Sequence, residues 1–112
     1  MKIKEDIEAL LSSLEKENIF GVTELFYNKI FLNENEKIIF VDWYLRVQER
    51  IDILTEMLKI IVESDIYSIS LPEKIIVEYL KAKRALEKIR LRKDLMWLVF
   101  GSDDNYSSFV YN

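Results

Sequence analysis

The stretch "NENEKIIFVDWYLRVQERIDILTEMLKIIVE", residues 33–63, decides the fold class. Phe40, Tyr44, Val47, Ile51, Leu54, Leu58 and Ile61 follow one another at spacings of four and three without an error. That is the period of an α-helix with one buried stripe, and Trp43 and Val62 widen it. Asn33 stands where its side chain can accept from the free amides of a helix start, and Glu36 can reach back to it. This reciprocal arrangement is a capping box. The spacing therefore predicts a helix over 34–63, about 45 Å long at ~1.5 Å per residue.

A second long helix follows over 71–100. Ser70 and Glu73 make another capping box, and Pro72 falls in the first turn, where a missing amide costs little. Ile75, Tyr79, Ala82, Leu86, Ile89, Met96 and Trp97 mark its core face, interrupted by Lys93, and Gly101 ends it. Two long helices joined by the short connector "SDIYSISLP" favour an antiparallel hairpin. Upstream, Ile3, Ile7, Leu10 and Leu14 predict a helix over 2–17, stopped by Asn18. In "IFGVTELFYNKIFL", Gly21 is read as a break, and Val22, Leu25, Phe26 and Ile30 fit a short helix. The β-branched and aromatic content of 19–32 would also suit a strand.

Composition agrees. The 112 residues contain only two glycines and one proline, too few for the many turns of a sandwich or barrel. Half of them are apolar, enough for a core without staples. The expectation is a single all-α domain over 1–112. It is a helical bundle built on the hairpin, with one or two shorter N-terminal helices and a tail over 101–112.

The chain has no cysteine and no histidine. Thiolate nucleophiles, zinc fingers, Ser/His or Cys/His pairs and imidazole-ligated metals are thereby removed. No cofactor is implied. The N-terminus carries acids within an amphipathic pattern, and the longest uncharged run, "LMWLVFGS", is too short to span a bilayer, so a soluble cytoplasmic protein is expected. Fifteen isoleucines against three alanines suggest an AT-rich genome of origin.

The outward faces of the two long helices carry the functional signal. On 71–100, Lys74, Lys81, Arg84, Lys88 and Arg92 fall in one stripe roughly 80° wide. Beside it Val77, Leu80, Leu91, Leu95 and Leu98 form a second apolar seam nearly opposite the core face. A helix apolar on two opposed sides needs two partners. On 34–63, Asp42, Glu49, Glu56 and Glu63 recur every seven residues and, with Asp52, make an acidic ladder that includes Ile53 and Ile60. The tail alternates Tyr106, Phe109 and Tyr111, suited to docking in a groove of the same chain, the favoured reading, or to pairing with a partner.

Three functions follow. The favoured one is a small non-enzymatic protein that binds another macromolecule, a protein before a nucleic acid, and self-associates. Its contact would be Leu80, Leu91, Leu95 and Leu98, rimmed by Lys81, Arg84, Lys88 and Arg92. Mobile-element inhibitors, adaptors and helical assembly subunits are of this type. The second reading assigns the same cations to nucleic-acid phosphates, against a sequence pI of about 4.9 that opposes such binding. The third rests on Glu49 and Asp52, an ExxD pattern in "ERIDILTEML". It resembles one half of the metal-binding signature of all-α nucleotide pyrophosphohydrolases. That resemblance implies a Mg²⁺-dependent enzyme. The other half, ExxE, would fall on Glu5 and Glu8, across a longer gap than the family has.

Overall fold

In a computed structural model of the chain, residues 2–63 and 73–101 are described. Ser70, Pro72, Tyr106, Phe109, Tyr111 and the side chain of Ile3 lie outside them. The described residues form α1 (Lys2–Lys16), α2 (Ile19–Asn28), α3 (Glu34–Glu63), α4 (Glu73–Arg90) and α5 (Lys93–Phe100), with no strand. The protein is an all-α bundle.

Helix α3 starts as its sequence dictates. Asn33 Oδ1 accepts from the amide of Glu36 at 2.8 Å, and the Asn33 amide donates to Glu36 Oε1 at 3.0 Å. Lys29 and the Asn33 amide together hold the Glu36 carboxyl below its ordinary range. Asn33→Ala removes the acceptor and is expected to lower stability by about 1 kcal/mol, while Asn33→Asp retains most of it. Chemical denaturation compares the two. Phe40, Trp43, Tyr44, Val47, Ile51, Leu54 and Ile61 are buried, as their spacing predicts, and Leu58 is half-buried. Val62 departs from the pattern at 80 % exposed, because the buried arc has turned away from it by the last turn of the helix.

Helix α4 runs antiparallel to α3. Arg90 donates to the Tyr44 hydroxyl at 2.9 Å, and Tyr79 shares a 2.8 Å hydrogen bond with Thr55 eleven residues further along α3. Helix α2 packs on α4 in the parallel sense. Ile19 and Phe20 share a groove with Lys81, whereas Glu24 meets Lys88 one helix-end further on. Helix α1 packs against both α3 and α4, and Glu17, just past its end, pairs with Arg46 of α3 at 3.0 Å. Ile7 and Leu14 of α1 are buried and Leu10 packs beside them.

The link between α1 and α2 is two residues, Glu17 and Asn18, the second in the left-handed conformation at φ 50°. Asparagine tolerates this region better than most residues. Gly21 does not break α2, contrary to the sequence expectation, and lies inside it. A Cβ there would come within 2.5 Å of Asn18 Nδ2, so glycine makes room for the turn. The region 19–32 is helix as far as Asn28. Ile30, expected on its buried stripe, lies beyond the helix end and is exposed.

The expected single helix over 71–100 is two. Its break lies at Leu91 and Arg92, where Arg92 adopts extended backbone at φ −85° and ψ 95°. The last amides of α4 tighten onto i−3 carbonyls, Leu91 to Lys88 and Arg92 to Ile89, and α5 restarts with Met96 donating to Arg92. The break re-aims everything after it. Leu95 and Met96 enter the core, and Trp97, expected there, is 49 % exposed. Gly101 then closes α5 in the left-handed region at φ 74°, as expected.

Candidate protein interface

Along the outward side of α3, Ile38, Leu45, Ile53 and Ile60 are exposed at spacings of seven, eight and seven. Such spacing keeps them on one side of a helix, a seam with one aliphatic residue every two turns. Between them stand Asp42, Glu49, Asp52, Glu56 and Glu63, all exposed. Leu45 and Ile53 share a shallow groove with Glu49 and Asp52, and a second groove continues from Leu45 past Val41 to Ile38, walled by Leu98 of α5. Asp42 pairs with Arg46. Among the described residues no ion pair engages Glu49, Asp52, Glu56 or Glu63.

The outward side of α4 is its counterpart. Ile76, Val77 and Leu80 are half-exposed on it. Lys81, Lys83 and Arg84 surround Leu80, with Glu73 and Glu87 at the two ends. Lys81 approaches Glu78 only at 4.0 Å, and neither Lys83 nor Arg84 has an ion pair among the described residues.

The residues expected at the contact divide. Leu80 and Leu91 are exposed, Leu91 at 73 %, but Leu95 is buried at 1 % and Leu98 is half-buried against the core. The four do not form one face, because the break at Arg92 rotates the last two inward. The charged rim divides as well. Lys81 and Arg84 face solvent. Lys88 donates to Glu24 at 2.5 Å and lies 4.6 Å from the centre of the Tyr27 ring. That bond holds the Glu24 carboxyl below its ordinary value.

Arg92 serves the fold. Its Nη1 donates to the carbonyls of Tyr27 at 2.7 Å and Lys29 at 2.8 Å, and more distantly to Phe26 at 3.4 Å. Its Nε and Nη2 donate to the two oxygens of Asp94 at 2.9 and 2.5 Å. The guanidinium thus caps the C-terminus of α2, where carbonyls lack helical partners. The carboxylate draws the guanidinium pKa further up, and the guanidinium holds Asp94 low.

Glu49 and Asp52 of the ExxD pattern sit on the exposed side of α3, and Glu5 and Glu8 on the exposed side of α1. Among the described residues no three carboxylates gather where a metal ion could be held. Nor is any described helix long and apolar enough to cross a membrane. Ile38 and Leu45 lie outside the sequence expectation, although they continue the run of Ile60 and Ile53 back at the same seven- and eight-residue spacing. No protein-family model, curated protein or solved structure matches the chain.

Proposed function

We propose that this chain is a non-enzymatic protein-binding module, working in the cytoplasm as an inhibitor, adaptor or assembly subunit. Its outward α3 face takes an amphipathic helix that carries cations. The observation that supports this is the seam Ile38, Leu45, Ile53 and Ile60, set among Glu49, Asp52 and Glu56, which no ion pair engages among the described residues. A solvated helix back has no need of regularly spaced large aliphatics, and burying one fully is worth roughly 1.5–3 kcal/mol. A helix laid along such a seam supplies that burial at every second turn. The carboxylates select partners with positive flanks and repel acidic ones.

A designed peptide probe tests this reading: an amphipathic helix with a leucine seam and flanking lysines, carrying a fluorophore. Anisotropy titration should show binding that weakens as salt rises and falls about ten-fold or more with Ile53→Glu. A probe that binds the variant as well as the native chain overturns the reading, since attraction to any acidic surface would then suffice. Absence of binding overturns it too.

A further inference from the structure

We infer that the helix received by α3 is α4 of a second copy of this chain, so that copies join α3 to α4. This rests on the reading of α3 just given and names its partner. The chain itself carries the required surface. Ile76, Val77 and Leu80 are half-exposed aliphatics on the outward side of α4, and Lys81, Lys83 and Arg84 flank Leu80. The opposed surface offers Ile53 and Ile60 flanked by Glu49, Asp52 and Glu56. Apolar residues meet apolar residues and cations meet carboxylates.

The alternative contact between copies, α3 on α3, would bring one acidic ladder against another. Like charges placed face to face in an interface oppose association. An α4-to-α4 contact has the same defect around Leu80. The mixed pairing uses groups that are otherwise without ion pairs among the described residues, Glu49, Asp52 and Glu56 on one side, Lys83 and Arg84 on the other. It joins two different surfaces. Each copy therefore brings one donor and one acceptor face to the assembly, the arrangement that yields rings or chains unless two contacts close on each other.

Two variants with opposite defects test it. Ile53→Glu removes the α3 face and Leu80→Glu removes the α4 face; both positions are exposed, so circular dichroism should show native helicity. In sedimentation equilibrium at about 200 µM, a range that detects weak contacts, the native chain should exceed its monomer mass of 13.4 kDa. Each variant alone should sediment as a monomer. Mixed together they should form a complex containing both, because one intact α3 face then meets one intact α4 face. As a second route, Glu49→Lys with Glu56→Lys should dissociate the native assembly, and adding Lys83→Glu with Arg84→Glu to the same chain should restore it.

A monomeric native chain overturns the inference, as does a Leu80→Glu variant that still associates or a mixture that stays monomeric. The underlying reading is judged separately, by the peptide probe on the Leu80→Glu variant. If the probe binds there while the mixture stays monomeric, the second copy is wrong and the α3 docking face stands. If the probe fails as well, both fall.

Discussion

Phe40→Ala is expected to cost about 3–5 kcal/mol of folding stability, a large part of what a domain of this size has in total. Phe40 has no exposed surface and lies at the centre of an aromatic group. Its ring meets Phe26 edge-on at 5.0 Å and sits 6.2 Å from Trp43 and 6.0 Å from Tyr44. Phe26 comes from α2 and the other three from α3, so the ring helps hold the two helices together, with Trp43 also 5.9 Å from Phe26. Truncation leaves a cavity among rings packed from two helices. The midpoint of urea unfolding should fall steeply while the slope stays constant. A loss below about 1 kcal/mol would show that the site collapses and that the α2–α3 contact is held elsewhere.

Arg92→Ala is expected to cost about 2–3 kcal/mol, the range for losing hydrogen bonds from a charged donor to partly buried acceptors. The carbonyls of Tyr27 and Lys29 lose their partner, and α2 loses the cation at its negative end. Arg92→Lys should recover only part of the loss, because an ammonium cannot reach several carbonyls and both Asp94 oxygens as the planar fork does. The effect depends on pH with a defined sign. Asp94 has its folded pKa lowered by Arg92. Its contribution is therefore complete above the unfolded carboxylate range and lost as pH falls through the folded value. The stability difference between the native chain and Arg92→Ala should narrow in acid, below about pH 4. Parallel denaturation curves at pH 7 and pH 3 measure it. An unchanged difference would mean that the carbonyl contacts alone carry the role of Arg92.

This second result also separates two readings of the same cation. From sequence, Arg92 belongs to a basic stripe that could rim a protein contact or follow phosphates. In the folded chain its donors are engaged with α2 and Asp94, and Lys88 is engaged with Glu24 and Tyr27. Binding at either residue would first have to break these contacts. Lys81 and Arg84 carry no such obligation to α2, which is why the charge-reversal test uses Arg84.

Much was legible in the residues because the forces that set it are local. The capping box of Asn33 and Glu36 spans one turn, and the stripe from Phe40 to Ile61 reports a period that any helix must obey. Asn18 ends α1 and Gly101 ends α5 through backbone conformations their own chemistry favours. The all-α class, the long helix over 34–63 and most of its buried face follow from such signals. The break at Leu91 and Arg92 does not, since its cause is a set of carbonyls more than sixty residues away in the chain. From that break come the burial of Leu95, the exposure of Trp97 and the loss of a continuous leucine seam. Sequence alone determined which residues could form amphipathic faces, because helical periodicity is written in neighbours three and four apart. Only the tertiary structure decided which of those faces the chain itself covers, because burial depends on where distant helices come to rest.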